Sequence, residues 1–282
     1  MILPERYQGE DWYPSFVRFM DEAYPNWRQY YDFAPYTPAE VEETAVEFAP
    51  EIPRLPEEYL TFLTHMGARG LDLHHRAFLY HGGRLYLSGE GETCLTIGSY
   101  NLLDEGYKLA YCFPKEGTPY MVWSREYSGG QVKAADSLGQ LLCNQAFLAC
   151  GVDQFPFHQT MDLAFHMHNP PYGPCPEAEE YCRIHPVEGL SEEELWDIGF
   201  QLQLQKLEAP LRQLGYEKAW FSTELDHIWL RENTCCILSR EFDPNDMFDT
   251  ACVSIWGEEK KPIQVLAGRF QELGYGSWRA LE

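Results

Sequence analysis

The residues that could bind a metal ion are concentrated in one segment of the chain. Six imidazole and thiol side chains lie there within 28 residues: His158, His166, His168, Cys175, Cys182 and His185. A mixed set of this kind suits zinc. Structural zinc sites usually hold two ligands on a tight turn with about two to four intervening residues, whereas six residues separate Cys175 from Cys182, and only Cys182 and His185 are close enough. We therefore predict no metal site and no cofactor, with zinc binding by this segment as the open alternative.

Two further groups of residues could support hydrolysis. Cys235 and Cys236 could act with His227 as a thiol nucleophile and its base. Glu224, Asp226 and His227 could form an acid–base set. Both cysteines fall within a predicted strand, so at least one of their side chains should point into the core. The sequence contains no Gly-rich phosphate loop, nucleophile elbow or His-Glu-x-x-His motif. We therefore predict no catalytic residues and keep a hydrolase with a thiol or acid–base site as the alternative.

The charge balance bears on the class of partner. The chain of 282 residues has 44 Asp and Glu against 21 Lys and Arg, a formal net charge of −23. Residues 1–60 alone hold thirteen acids and four arginines. Such a charge repels phosphate backbones and anionic lipid and favours a basic partner. We therefore expect a basic protein partner, no direct contact with nucleic acid and no membrane association.

Cysteine usage and hydropathy indicate a cytoplasmic protein. The nine cysteines are an odd number and mostly lie in apolar surroundings, so they resemble small core residues rather than a disulfide framework. No apolar run approaches the roughly 20 residues of a membrane span. The first residues lack the basic start and the apolar stretch of a secretion signal. The sequence gives no indication of the oligomeric state.

Two helices are predicted after an aromatic N-terminal extension, residues 1–36, that should pack on the first domain. The first helix has Thr37 as its cap and Glu40 in a capping box. The second helix follows in the stretch RLPEEYLTFLTHMG, with Pro56 at its first position and Gly67 as a left-handed stop. The apolar residues of this helix are spaced for one buried face: Tyr59, Phe62, Leu63 and Met66. Both helices should carry their acidic residues on their outer faces.

The rest of the chain alternates between strand and helix patterns. Short apolar runs separated by Gly, Asn and Ser over residues 77–136 predict an antiparallel sheet. The stretch DSLGQLLCNQAFLAC predicts a helix on this sheet, which completes an α+β domain over residues 37–155. A Pro-rich linker is predicted over 156–189. Residues 190–282 predict a second, smaller α+β unit with a capped helix, four strands and a last helix, in which Pro210 kinks or divides the first helix.

The beginning of the first domain resembles the SUKH superfamily. Its members have a helix that leads to a Leu-Pro-acid-acid-Tyr-x-x-Phe-Leu motif and a Gly-containing turn, followed by antiparallel strands and a closing helix. The matching residues here are Leu55, Pro56, Glu57, Glu58, Tyr59, Phe62, Leu63 and Gly67. The resemblance spans residues 38–150 and departs from the family pattern at Met66, where Asn is usual. It implies a SUKH-like fold with N-terminal helices packed on an antiparallel sheet.

The resemblance also implies protein binding without catalytic residues. Bacterial members of the superfamily are similar to immunity proteins that neutralise toxins, often nucleases, and a fungal branch regulates cell-wall synthesis by docking partners. Because charge complementarity speeds association, an acidic inhibitor of a basic nuclease is physically sensible. We therefore expect an immunity-type inhibitor of a basic toxin domain, with a regulatory or scaffold protein as an alternative. The predicted partner-binding residues are Glu40, Glu42, Glu43, Glu57 and Glu58. The motif residues with a predicted structural role are Leu55, Pro56, Tyr59, Phe62, Leu63 and Gly67.

Overall fold

A computed structural model describes residues 1–7, 11–31, 33–67, 71–72, 78–79, 85–88, 91–101, 104–125, 131–163, 183–184, 192–241 and 250–275. Their contacts divide the chain into two compact units, Met1–Gln154 with Trp220–Glu224 and Phe155–Ala219 with Leu225–Glu282. Each unit combines helices with an antiparallel sheet, so the predicted α+β class is confirmed. None of the described helices is long and apolar enough to cross a lipid bilayer.

The first unit begins with three α-helices. They are α1 (Tyr13–Ala23), α2 (Pro38–Phe48) and α3 (Glu57–His65), with a short 3-10 helix at Trp27–Tyr30 between α1 and α2. The capping box predicted for α2 is present. Thr37 Oγ1 accepts a hydrogen bond from the Glu40 amide at 3.3 Å, and the Thr37 amide donates to Glu40 Oε2 at 2.7 Å. Two amides that would otherwise lack helical partners are thereby satisfied.

Helix α3 is bounded by two residues of special backbone geometry. Pro56 is the cap residue and the helix begins at Glu57, one residue later than predicted. The left-handed stop predicted at Gly67 is present, with a φ of 76°. A side chain could not fit there, because a Cβ atom on Gly67 would lie 1.5 Å from the carbonyl oxygen of Ala34. Glycine is therefore required at this position for both its conformation and its size.

In the part of the first unit that the structure describes, seven strands form an antiparallel sheet. They are β1 (Leu71–Asp72), β2 (Phe78–Leu79), β3 (Leu85–Leu87), β4 (Thr93–Asn101), β5 (Asp104–Phe113), β6 (Tyr120–Arg125) and β7 (Gln131–Ala135). The strand order is β1-β2-β4-β5-β6-β7, and β3 pairs with a different part of β4 from the part that β2 occupies. Most neighbours in the sheet are neighbours in sequence, which is the arrangement that a run of short strands and tight turns favours.

Helix α4 closes the continuous part of the first unit. It spans Leu138–Ala146 and continues as a π-helical turn at Phe147–Gly151 and a 3-10 turn at Val152–Gln154. Ser137 caps α4 by accepting a hydrogen bond from the Gln140 amide at 3.2 Å. The helix contacts β6 and β7, and most of its residues are buried. Trp12, from the aromatic N-terminal extension, packs so closely that a Cβ atom on Gly139 would lie 2.3 Å from the Trp12 Cβ.

A short segment from much later in the sequence completes the core of the first unit. Residues 220–224 belong to this unit. Phe221 is almost fully buried and packs against Phe147, with the ring centroids 5.2 Å apart. Gln140 Nε2 donates a hydrogen bond to the carbonyl oxygen of Ser222 at 2.7 Å. The first unit is therefore built from two separate stretches of sequence.

The described residues of the second unit form five antiparallel strands and two longer α-helices. They are β8 (Phe157–Leu163), α5 (Glu192–Gln213), β9 (Glu217–Lys218), β10 (Asp226–Arg231), β11 (Thr234–Glu241), β12 (Thr250–Gly257) and α6 (Lys260–Glu272). The strand order is β8-β12-β11-β10-β9. The sequence predicts that Pro210 kinks or divides α5; the helix runs through Pro210 as one element, so the second of these outcomes, a division, does not occur. Leu207 and Leu211, on either side of the proline, are fully buried in the core, and their packing offsets the lost backbone hydrogen bond.

Strand β8 lies in the segment that the sequence predicts as linker. It pairs with β12 along its whole length, from Phe157 opposite Gly257 to Leu163 opposite Ala251. Met161 is buried in the core with residues of α5 and α6, and Phe157 packs against the same cluster. The polar residues that alternate with them weaken the strand pattern and make the segment resemble a linker. Apart from 183–184, the rest of the predicted linker lies outside the described residues.

Candidate functional site

Six exposed carboxylates lie on α2, at the beginning of α3 and in the connection between the two helices. We call them the acidic surface and define it by these residues: Glu40, Glu42, Glu43, Glu47, Glu51 and Glu57. All six are solvent-exposed. Val46 lies among them with 68% of its surface exposed, three and four residues after Glu43 and Glu42 on the same helix. Arg54 is the single Lys or Arg between residues 38 and 67. The acidic surface therefore joins a net negative charge to an exposed apolar side chain.

One carboxylate of the acidic surface also has a structural role. Glu40 Oε2 accepts hydrogen bonds from the Thr37 amide at 2.7 Å and from Thr37 Oγ1 at 2.8 Å. These bonds lower the pKa of Glu40 below its ordinary value, since they stabilise the charged form. The side chain is nevertheless exposed. Glu40 thus presents its charge to solvent in a fixed position.

The structure does not place Glu58 with the other predicted contact residues. Its residue surface is only 7% exposed, so its predicted position on an outer acidic face is wrong. Glu58 follows Leu55 by three residues and precedes Phe62 by four, and both of these are buried. Helical periodicity thus puts Glu58 on the buried face of α3. This spacing could have revealed its burial, but its chemical type suggested an exposed residue.

Glu58 instead bonds to the beginning of α4. Its Oε2 accepts hydrogen bonds from the amides of Leu138 at 2.8 Å and Gly139 at 3.4 Å. Tyr111 donates to the same oxygen at 3.4 Å, and Tyr7 donates to Oε1 at 3.2 Å. A carboxylate is stabilised at a helix N-terminus by the free amides and the helix dipole. Glu58 therefore links α3 to α4 through the interior of the first unit.

The other motif residues are also in the interior. Four of them are almost or fully buried: Leu55, Tyr59, Phe62 and Leu63. Pro56 caps α3 and Gly67 ends it. Burial raises the pKa of Tyr59, so its hydroxyl stays protonated. Together with Glu58, these residues hold α3 in place. They do not form an exposed binding surface.

The two cysteines of the predicted thiol site lie in the protein interior. Cys235 and Cys236 are fully buried, and burial raises the pKa of both thiols above the ordinary value. Cys236 lies opposite Trp229 in the sheet, two residues from His227 along β10. Neighbouring strand residues point to opposite faces, so the two cysteines do not share one side of the sheet. A buried thiol with a raised pKa holds little of the thiolate that nucleophilic attack requires.

The predicted acid–base set is also divided between different partners. Asp226 accepts a hydrogen bond from Ser239 Oγ at 2.6 Å. His227, the next residue on the strand, points to the other face and has Nδ1 2.8 Å from Glu208 Oε1. Glu224 is exposed and belongs to the first unit. The three residues therefore do not converge on one substrate position.

Glu208 is a polar residue of α5 that the sequence did not single out. It is buried, and it pairs with His227 and with Arg212 one turn later on the same helix. Burial by itself raises the pKa of Glu208, but the hydrogen bond and charge of His227, with the charges of Lys218 and Arg212, lower it below the ordinary value. The i,i+4 spacing of Glu208 and Arg212 was visible in the sequence, whereas the contact with His227 depends on the fold.

Of the six residues considered for zinc binding, His158 lies in the part of the chain that the structure describes. Among the residues that the structure describes, no group of three His, Cys, Asp or Glu side chains is placed to hold a metal ion. His158 lies in β8, where its ring stacks on Trp256 with the centroids 4.5 Å apart. The remaining candidates lie outside the described residues: His166, His168, Cys175, Cys182 and His185.

Two polar arrangements therefore stand out in the described part of the chain. The carboxylates of the acidic surface face solvent and can meet another molecule. The Glu208–His227 pair is enclosed and connects α5 to the sheet of the second unit. When the chain is compared with protein-family models, with curated proteins and with solved structures, none of them matches it.

Proposed function

We propose that this chain is a protein-binding protein without catalytic activity, and that it docks a basic partner on the acidic surface. The observation that carries the proposal is the exposure of six carboxylates and of Val46 between residues 40 and 57, in a stretch where Arg54 is the single Lys or Arg. Like charges in such a group repel one another in the free protein. A basic partner removes this repulsion and adds attraction.

Val46 supports docking over a purely solvating role for these charges. Protein interfaces commonly have an apolar centre that is desolvated on binding, surrounded by a polar rim. Val46 provides such an apolar side chain, and Glu42 and Glu43 lie one helical turn before it on the same helix. Because α2 is capped at Thr37 and contacts α3, this surface is held in place before any partner arrives.

The partner that we propose is a basic toxin domain, with nucleases as the leading class. A nuclease holds phosphate groups with Lys and Arg side chains, and a row of carboxylates can occupy the same side chains. The resemblance of the Leu55–Gly67 stretch to the SUKH motif supports an immunity-type role. Glu58 has no part in this contact, since its carboxylate is engaged with α4.

Co-expression with the product of the adjacent gene tests the proposal. A toxin-like neighbour should co-purify with this chain and lose its toxicity when both are expressed. A neighbour that binds without being toxic would support the regulatory or scaffold alternative instead. A toxin-like neighbour that neither binds nor is neutralised would refute the inhibitor role.

Charge reversal on the acidic surface tests the site itself. In the triple variant E42K/E43K/E57K, association with the partner should slow by about tenfold or more at low salt, because electrostatic steering is lost. The matched control is E116K/E224K/E258K, which makes the same charge change at exposed acids outside the acidic surface. Surface plasmon resonance at low and high salt measures both on-rates. Equal on-rates for the two variants would show that the acidic surface does not receive the partner.

A further inference from the structure

The sheet of the first unit contains two cysteines that face each other on neighbouring strands. Cys94 on β4 and Cys112 on β5 are directly opposite in the antiparallel register. Their sulfur atoms are 2.8 Å apart, and both residues are fully buried. They form a small cluster with Ala110 and Val122, against which Tyr86 and Tyr120 pack.

The backbone at this position suits a bond between the two sulfurs. Directly opposed residues of antiparallel strands have Cα atoms about 4.5 to 5.5 Å apart. Disulfides span Cα separations of about 4.4 to 6.8 Å. Both cysteines are free thiols in the structure. Closing the bond therefore needs a small movement of the two sulfur atoms and no change of strand register.

The polar groups around the pair differ for the two sulfurs. Gln131 Nε2 is a donor 3.7 Å from Cys94 Sγ. Cys112 Sγ lies 3.1 Å from Glu92 Oε2, a carboxylate oxygen that also accepts a hydrogen bond from the Tyr120 hydroxyl at 2.9 Å. Cys94 therefore has a nearby amide donor that can stabilise a thiolate, and its sulfur is 3.9 Å from the carbonyl oxygen of Glu92. Cys112 faces a carboxylate acceptor that can take its proton.

The titration of the two thiols agrees with this geometry. The hydrogen bond from Cys112 lowers the pKa of Cys94, and the same contact, together with burial and Glu92, raises the pKa of Cys112. Other buried cysteines differ, since burial alone raises the pKa of Cys235. A pair with one activated and one protonated thiol is the usual arrangement of redox-active dithiols.

We propose that Cys94 and Cys112 form a redox site that hydrogen peroxide oxidises reversibly to a cross-strand disulfide. Peroxide is the fitting oxidant class because it is small and neutral, and larger disulfide oxidants would have to reach fully buried sulfurs. The site is independent of the acidic surface and of the proposed partner. It adds a chemical modification to the sheet of the first unit.

The reaction proceeds in two steps. In the first, the Cys94 thiolate attacks one peroxide oxygen, an S–O bond forms, the O–O bond breaks, and hydroxide leaves. In the second, Cys112 gives its proton to Glu92 and its sulfur attacks Cys94, which forms the S–S bond and breaks the S–O bond as a second hydroxide leaves. The proton that Cys94 lost on ionisation and the proton taken up by Glu92 convert these hydroxides to water, so two thiols and one peroxide yield one disulfide and two waters.

Peptide mapping of the full-length protein tests the proposal. The reduced protein is treated with hydrogen peroxide, its free thiols are blocked with N-ethylmaleimide, and it is digested with trypsin. Cleavage after Arg84, Lys108 and Lys115 puts Cys94 in peptide 85–108 and Cys112 in peptide 109–115. We expect these two peptides to be linked with the loss of two hydrogen atoms, and dithiothreitol to separate them. Unlinked, fully alkylated peptides after treatment, or a disulfide elsewhere in place of this one, would overturn the proposal.

Three variants separate the steps of the reaction. In Cys112→Ser, Cys94 should stop at the sulfenic acid, which dimedone traps when the peroxide-treated protein is unfolded in its presence, since the native sulfur is buried. In Glu92→Gln, the same intermediate should persist and disulfide closure should slow by about tenfold or more, because the proton acceptor is lost. Cys143→Ser removes another buried thiol of the first unit and should leave the linked peptides unchanged. Closure at the original rate in Glu92→Gln would refute the role of Glu92, and the absence of dimedone adduct in Cys112→Ser would refute Cys94 as the attacking thiol.

Discussion

The buried carboxylate of Glu58 gives a sharp test of how the first unit is held together. Replacement by alanine removes the acceptor for the Leu138 amide, the shortest of its bonds at 2.8 Å. A buried N–H donor without an acceptor lowers the free energy of unfolding by about 1–3 kcal/mol. Loss of a negative charge at a helix N-terminus lowers the free energy of unfolding by about 1 kcal/mol more. The bonds from Tyr7, Tyr111 and Gly139 are longer, at 3.2 to 3.4 Å, and add little. Glu58→Ala should therefore destabilise the first unit by about 3 kcal/mol.

Two further variants make this estimate specific. Glu58→Gln keeps an oxygen acceptor but loses the charge, so it should cost only about 1 kcal/mol. Glu57→Ala changes the exposed neighbour in the same helical turn and should stay within about 0.5 kcal/mol of the original protein. In a unit of this size, about 1 kcal/mol shifts the melting temperature by about 2–4 °C. We therefore expect a fall of about 6–12 °C for Glu58→Ala.

The assay must separate the first unit from the second, since two units need not unfold together. Thermal unfolding gives the midpoints, and hydrogen exchange of the Leu138 and Gly139 amides reports directly on the beginning of α4. In Glu58→Ala these amides should lose protection more than the rest of the helix. If Glu58→Ala and Glu57→Ala have the same melting temperature, and the α4 amides stay equally protected, Glu58 does not stabilise the unit.

The other predictions concern single positions. Because the folded-state pKa of Glu208 is lowered, its contribution to stability is present above the unfolded pKa of about 4.3 and is lost as the pH falls below it. The difference in melting temperature between the original protein and Glu208→Gln should narrow from pH 6 to pH 3, and a constant difference would contradict this. Gly67→Ala should lower the free energy of unfolding by about 3 kcal/mol or more. Gly215 has a similar φ of 78° but open space around its Cβ, so Gly215→Ala should lower it by about 1 kcal/mol. Chemical denaturation of the two variants measures both values. Cys235 and Cys236 should resist iodoacetamide in the native protein and react after unfolding; native labelling of either would favour the hydrolase alternative.

Features that depend on a few consecutive residues could be predicted from the sequence. The cap of α2 is an interaction between Thr37 and Glu40, and the stop of α3 is a backbone conformation of one glycine, Gly67. Both depend on local geometry that a short motif specifies. The α+β class followed from the same kind of local pattern, repeated along the chain.

Features that depend on distant residues could not be predicted in the same way. His227 meets Glu208 only because β10 packs against α5, and no spacing rule connects residues 19 positions apart. The burial of Glu58 combines a visible helical spacing with a partner, the α4 amide of Leu138, that lies 80 residues later. The local sequence pattern does not predict strand β8. The strand forms because it pairs with β12, and this pairing outweighs its weak local preference for strand.

The return of residues 220–224 to the first unit has a consequence for how the protein is made. Phe147 can pack against Phe221, one of its aromatic neighbours, only after the ribosome has also synthesised residues 155–219, which belong to the second unit. The first unit therefore cannot finish folding as soon as its own 154 contiguous residues emerge. Its completion is delayed until much of the second unit has been translated, and a gene fragment that ends at Gln154 encodes an incomplete core.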